Sequence, residues 1–240
     1  MTKFGLVAAL CQSSRVIGIH RRHLPWNVPD DRRDFVRLTR DKILIVGRHT
    51  WQERAVVGAG KNKRVQEEDD HNNNNDDDDD DDDSHIRHAR QTVVVSRTLT
   101  PRQVQMRPGS VLARSLPEAL AMARQLAMAD VTTSGGVPSD NEQPDNADSS
   151  MIPNDQIPCW IAGGQAIYQE AILHPAVERL VLTEMDVELV DLDHPSVRDI
   201  ARFPHPSLWI HQYEQVSRIA RVDSTTGISY AVIQYNRRRT

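Results

Sequence analysis

Ile43-Leu-Ile-Val46 is a continuous apolar run that stops at Gly47, and it narrows the possible folds more than any other stretch. A strand with no polar alternation needs cover on both faces, which points to a mostly parallel sheet between helices. Arg48-His49-Thr50-Trp51 then opens a helix. The same plan returns at Cys159-Trp-Ile-Ala162-Gly163-Gly164, with Gln165 to Ile172 as the helix. A strand, a glycine and a helix start leave unpaired backbone N–H groups converging on one place, which suits a phosphate. Arg48 and Thr50 would add a guanidinium and a hydroxyl. Neither copy reads G-x-G-x-x-G, so the ordinary dinucleotide-binding fold lacks support. The paired glycines allow close approach of backbone to a ligand.

Upstream, Leu24-Pro25-Trp26 forms a rigid apolar elbow, and Pro29 suits the first turn of a helix, where its missing N–H costs nothing. Asp30 and Asp31 fall in that turn, where the helix dipole favours a carboxylate. Phe35 and Leu38 lie four and seven positions beyond Asp31, so the acid shares a helical face with apolar side chains. Such a carboxylate can hold the amidine-like edge of a heterocycle, and desolvation would raise its pKa into a useful range. The plainer alternative is a helix-start charge facing water.

The formal net charge of −5 on 240 residues hides an uneven distribution. Residues 65–85 and 129–156 hold acids and no lysine or arginine, and without them the chain carries about +13 on roughly 191 residues. A basic body steers anionic ligands. Nucleic acid would also fit the charge, but no recognition motif supports it. The two biased stretches cannot bury enough apolar surface to offset ordering, so insertions at about 61–88 and 129–156 are expected within one domain spanning 1–240. Asp76 to Asp83 lacks the alternating ligands and glycine of a calcium loop, and no metal site is expected. No stretch is long and apolar enough to span a membrane, and the first residues do not read as a signal peptide. Cys11 and Cys159 read as buried free thiols in a reducing compartment, so a cytoplasmic chain is expected, with no membrane partner and as a monomer.

Taken together, Val16-Ile-Gly18, Leu24-Pro-Trp26-Asn27, Asp31 with Phe35 and Thr39, and Gly47-Arg-His-Thr-Trp51 resemble dihydrofolate reductase in order and spacing. The resemblance implies an α/β domain with a mostly parallel central sheet, an antiparallel C-terminal edge and about four flanking helices. It implies NADPH-dependent reduction of 7,8-dihydrofolate to tetrahydrofolate. Asp31 would hold the pteridine and promote its protonation, supported by Trp26 and Thr183. Val7 and Ala8 would line the pterin pocket, with Phe35 against the benzoyl ring and Arg90, or in its place Arg87 or Arg64, on the glutamate carboxylate. Ala162 and Tyr168 would border the substrate where it meets the nicotinamide. Arg32 is unusual beside the acid: pointing inward it would depress the Asp31 pKa, and turned outward it could add affinity for the glutamate tail.

For the cofactor, the resemblance implies Ala9 on the first strand, Ile17 and Gly18 in a closing loop, and the Gly47-Arg48-His49-Thr50 corner. Ser96, Arg97 and Arg114 would take the 2′-phosphate. Gly163, Gly164, Gln165, Ala166 and Ile167 would grip the pyrophosphate from the second corner, and the Gly163–Gly164 bond is expected to be cis. The segment that usually follows is either Asp191 to Pro195 or Phe203-Pro204. Strands are expected at Phe4–Leu10, Thr92–Ser96, Val111–Ala113 and Arg179–Thr183, with Trp209–Val216 and Ser229–Tyr235 as a closing antiparallel pair. A helix starts at Leu116, and Arg237 to Arg239 read as a solvated tail. Two rival functions are a riboflavin-pathway type of pyrimidine reductase and a non-catalytic nucleotide-binding scaffold.

Overall fold

A computed structural model describes residues 2–19, 24–59, 91–133, 157–189, 192 and 199–239. The whole first insertion with its Asp76–Asp83 tract, most of the second, and Arg90 lie outside the described residues. The apolar runs form the strands expected of them: β1 (Phe4–Cys11), β3 (Ile43–Gly47), β4 (Thr92–Val95), β5 (Ser110–Ala113), β6 (Cys159–Ile161) and β7 (Val177–Met185). With β9 (Tyr213–Val222) and β10 (Ser229–Arg237) they make one eight-stranded sheet in the order β5-β4-β3-β6-β1-β7-β10-β9. The strands from β5 to β7 are parallel, and β10 runs antiparallel between β7 and β9. Two short strands, β2 (Val16–Gly18) and β8 (Ala201–Arg202), pair separately where the sequence suggested only a loop.

Strand alternation sends side chains to two cores. Phe4, Leu6, Ala8, Ile43 and Ile45 face α4 (Leu116–Thr133) and α5 (Gln165–Ala171). Val7, Leu44, Val46, Val181 and Met185 face the other way, where Leu38 of α1 (Pro29–Thr39) and Trp51 of α2 (Arg48–Ala59) cover them. Both sides of the parallel strands are therefore dry, which is why those strands need no polar alternation. Cys11 and Cys159 are buried.

Five helices flank the sheet among the described residues, one more than the sequence reading expected. The addition is α3 (Pro101–Gln105), five residues long, and its start has a chemical cause. Thr100 Oγ1 accepts from Gln103 N at 3.3 Å, and Gln103 Oε1 accepts from Thr100 N at 2.8 Å. This reciprocal cap satisfies two helix-end donors, and Pro101 presets the first turn. Helix α4 also extends to Thr133, into the region read as loop from 129 onwards.

The closing antiparallel pair exists, but its first strand begins at Tyr213 rather than Trp209. Two 3-10 turns, Pro206–Leu208 and Ile210–Gln212, occupy the approach. Trp209 leaves the sheet to fill a core corner, edge-on to Tyr213 at 5.9 Å and Tyr235 at 5.4 Å. Arg237, read as tail, is structural. Its Nε donates to Val177 O at 2.7 Å, Nη1 to Gln212 Oε1 at 2.7 Å, and Nη2 to His174 O at 2.9 Å and Tyr213 Oη at 2.7 Å. Removing a charged donor that serves several buried acceptors leaves them unsatisfied. Arg237→Ala is expected to cost about 3 kcal/mol, read as a lower urea midpoint with an unchanged slope.

Candidate active site

Register sets out the site before any side chain is considered. Gly47 pairs with Val95, and Val95 with Ala113, so the next residues, Arg48, Ser96 and Arg114, emerge side by side at the carboxyl ends of adjacent parallel strands. Ala162 N donates to Ile45 O at 3.0 Å, which brings the Gly163-Gly164 corner beside Gly47. In open α/β sheets this end of the strands is where ligands bind.

Asp31 sits in the first turn of α1, on the face that meets Val7, Val181 and the other residues of that core. Thr183, buried on β7 opposite Ala9, faces the same way and hydrogen-bonds the Asp31 carboxyl. Burial pushes the Asp31 carboxyl up to about 6, the Thr183 hydroxyl opposes that rise, and the charge of Asp34 adds to it. Arg32 points to solvent and is not among the groups that shift Asp31, so the inward orientation does not occur. Phe35 packs against the same core one helical turn along. Trp26 packs there too, and its buried Nε1 has no hydrogen-bond partner among the described residues. A buried donor left open on this core suits a polar ligand atom or a bridging water.

The helix carrying Asp31 is held from a distance. Val28 offers no side-chain cap, so the first N–H groups of α1 need another acceptor. Asp223, buried in the turn between β9 and β10, supplies it: Oδ2 accepts from Asp30 N at 2.9 Å. Its Oδ1 accepts from Thr226 N at 2.7 Å and Thr226 Oγ1 at 2.8 Å, which fixes the turn itself. In return Asp30 Oδ2 accepts from Ser224 N at 2.9 Å, and Asp34 accepts from Arg221 Nη1 at 2.6 Å. Burial raises the Asp223 carboxyl, but its N–H and O–H donors outweigh that and hold it below the usual carboxylate range. A depressed folded pKa gives stability that is present above the ordinary carboxylate range and lost as the pH falls through the folded value. Asp223→Ala should cost about 1–2 kcal/mol, as loss of a helix cap does, and should loosen the Asp31 end of the helix. Thermal melts at pH 7 and turnover of dihydrofolate would show both effects. Sequence reading passed over this residue. The local signal was Asp223-Ser-Thr-Thr-Gly227, a turn whose first carboxylate can bond forward, but its partner lies in a distant segment.

The second corner gathers several expected residues. The Gly163–Gly164 bond is cis, as expected, and Gly163 O accepts from Gly47 N at 2.7 Å. Gly163 has φ +109°, and a Cβ there would lie 3.2 Å from Tyr168 Oη and 3.3 Å from Thr50 Oγ1. Tyr168 is buried and donates to Val7 O at 2.8 Å, so strand β1 and the corner are tied together. Ile167 is buried, Ala166 is exposed, and Gln165 Oε1 accepts from Arg202 N at 2.9 Å. That last bond fastens β8, and through it Ile17 and Gly18 of β2, to the start of α5. Phe203 packs on Tyr168 with ring centroids 5.2 Å apart, so Phe203-Pro204 lies at this corner. Asp191 and residues 193–195 lie outside the described residues.

The arginines differ in freedom. Arg48 Nη2 lies 2.6 Å from His49 Nε2. Arg114 Nη1 donates to Ser96 O at 3.0 Å and Leu99 O at 2.7 Å, closing the turn that follows β4. Ser96 is buried, and its Oγ accepts from Leu99 N at 3.0 Å and Thr98 N at 3.2 Å, so this hydroxyl builds the turn. Arg97 is exposed at the same end of the sheet. Arg90 lies outside the described residues.

Residues 3–56 match the family model of dihydrofolate reductase. This segment is similar to dihydrofolate reductases. It runs from β1 into α2 and includes Val7, Ala8, Trp26, Asp31, Phe35 and the Gly47–Thr50 corner. The match supports dihydrofolate reductase activity in general, and the eight-stranded mixed sheet with its flanking helices agrees with a dihydrofolate-reductase-like fold. Among the described residues, no helix is long and apolar enough to cross a membrane.

Proposed function

We propose that this chain reduces 7,8-dihydrofolate to 5,6,7,8-tetrahydrofolate with NADPH. The observation that carries the reading is a carboxylic acid held near pKa 6 by burial, bonded to Thr183, in a segment matched to dihydrofolate reductase. The residues at the carboxyl edge of the sheet fit the cofactor. Gly47 leaves room that a Cβ would narrow to 3.3 Å from Ile167, and Arg48, Arg97 and Arg114 give that edge positive charge. NADPH, when bound, supplies the hydride that C6 of the pterin receives.

The chain supplies the rest. Asp31 accepts from the amino and ring N–H groups of the pteridine and orients the ring. In its protonated form it promotes delivery of a proton to N5 through water, with the open Nε1 of Trp26 as a polar anchor for that water. Thr183 fixes the rotation of the carboxyl. Phe35 packs the benzoyl ring, Ala8 and Ala162 leave space for a flat heterocycle, and Tyr168 steadies the carbonyl of Val7. The start of α2 offers N–H groups to the pyrophosphate. Helix α5, at seven residues, adds little dipole and acts mainly through the Gly163-Gly164 backbone.

The deciding experiment offers the purified protein dihydrofolate and, separately, a ribosylated aminopyrimidine, each with NADPH or NADH. Consumption of NADPH matched by tetrahydrofolate supports the reading. Turnover of the pyrimidine alone, or cofactor binding without turnover of either, overturns it. NADPH should be preferred to NADH, and Arg97→Ala should narrow that preference by about tenfold, as loss of one charged contact to a phosphate does.

A further inference from the structure

Asp34 stands one turn beyond Asp31 on α1, a spacing that brings two helical side chains within about 5–6 Å at Cβ. Two carboxylates that close repel each other, and a free side chain would swing outward to relieve it. Asp34 is held instead: its Oδ2 accepts from Arg221 Nη1 at 2.6 Å, with about a quarter of each side chain exposed. Arg221 lies on β9 opposite Tyr230 of β10 and also hydrogen-bonds the Tyr230 hydroxyl. Tyr230 is buried in the core behind α1, so the guanidinium is gripped from two sides, unlike a loose surface ion pair. The other charges nearby have different tasks. Asp30 accepts from Arg33 and from Ser224 N, Asp223 caps the helix, Arg32 is exposed, and Arg37 lies 3.9 Å from Asp34. Strands β1 and β7 turn Val7, Val181, Met185 and the Thr183 hydroxyl to this face. Among the described residues, the charge of Asp34 is the one that acts on the Asp31 carboxyl. Burial pushes Asp34 up as well, and Arg221 gives the largest opposing effect, which favours its ionised form.

We propose that Asp34, clamped by Arg221, is a positioning residue for proton delivery: its fixed negative charge opposes ionisation of Asp31 and extends the pH range in which that acid keeps its proton. The proposal rests on the reading of Asp31 as the acid that serves the pterin. Ionising Asp31 would set a second negative charge one turn from the first on a poorly solvated face, where repulsion is far stronger than in water. Arg221 is not among the groups that act on Asp31, so the clamp anchors the anion without cancelling it.

The test combines two titrations of the full chain. One follows the carboxyl-carbon NMR signal of Asp31 with pH, assigned by its loss in Asp31→Asn. The other is kcat/KM for dihydrofolate from pH 4.5 to 9. Asp34→Asn should move both midpoints down by about 0.5–1 unit, which lowers kcat/KM at pH 7.5 by about three- to tenfold. Asp34→Glu keeps the charge and should recover most of that shift. Arg221→Gln should leave both midpoints unmoved or higher, whatever it costs in stability. Midpoints of Asp34→Asn that coincide with wild type would overturn the proposal. So would an equal downward displacement in Arg221→Gln, because loss of the clamp alone would then explain both variants. A wild type in which Asp31 titrates but kcat/KM shows no matching limb would instead overturn the reading beneath the proposal, and the proposal with it.

Discussion

Asp31→Asn is expected to make the protein more stable at neutral pH and nearly inactive. The two effects share one cause. The folded carboxyl is raised to about 6 by burial, while an unfolded aspartate titrates near its ordinary value. Between those values the native state binds more protons than the unfolded chain, so stability falls as the pH rises through that window and stays low above it. An amide carries no such penalty and still offers Thr183 a partner. The gain should be about 1–3 kcal/mol at pH 7, fading towards pH 4. Activity should move the other way. Without an ionisable group beside N5, kcat/KM should drop by about 10²–10⁴. Stability gained where activity is lost is the mark of a strained functional group. Urea melts of both proteins at pH 4, 5.5 and 7 would read the first effect directly.

Gly5→Ala should do more damage than any other single methyl added to the sheet. Gly5 pairs with Trp160 on one side and Arg179 on the other. A Cβ at Gly5 would lie 2.5–2.8 Å from three carbons of the Trp160 ring. That indole is fully buried, with neighbouring strands on either side, and cannot swing out. Overpacking of this kind costs about 3 kcal/mol or more, enough to threaten folded yield. The clash has a specific remedy. Trp160→Leu alone leaves a cavity and destabilises, yet combined with Gly5→Ala it removes the overlap. The double variant should therefore be more stable than the sum of the singles predicts, by about 1–3 kcal/mol. Additive losses would show that the ring moves aside.

Gly5 also marks where sequence reading stops. The run Phe4-Gly-Leu-Val-Ala-Ala-Leu10 announces a buried strand, but nothing local says that a tryptophan 155 positions away lies over its glycine. The two strand–glycine–helix corners, the helix starting at Pro29 and the apolar face behind Asp31 were all legible, because each is set by neighbours within a few residues. So was α3, in principle: Thr100-Pro-Arg-Gln103 is a capping-box pattern, though short enough to pass for a loop. Asp223 was not legible in its role. A turn aspartate has a local explanation, and the Asp30 N–H that it caps comes from the far end of the chain. Arg237 was misread for the same reason, since its acceptors are carbonyls that only the fold assembles. Arg32 shows the converse limit: adjacency in sequence leaves open whether its charge enters the pocket or faces outward, and helical rotation turns it to solvent.

The central claim is that Asp31 promotes protonation of the pterin from a raised pKa. The most direct measurement is the pH dependence of kcat/KM for dihydrofolate between pH 5 and 9, in wild type and in Asp31→Asn. The wild-type profile should fall as the pH rises past about 6, tenfold for each unit once the acid is ionised, and the variant should lack that titration. A variant that retains the same limb, or a wild-type profile that is flat across the range, would contradict the assignment of Asp31.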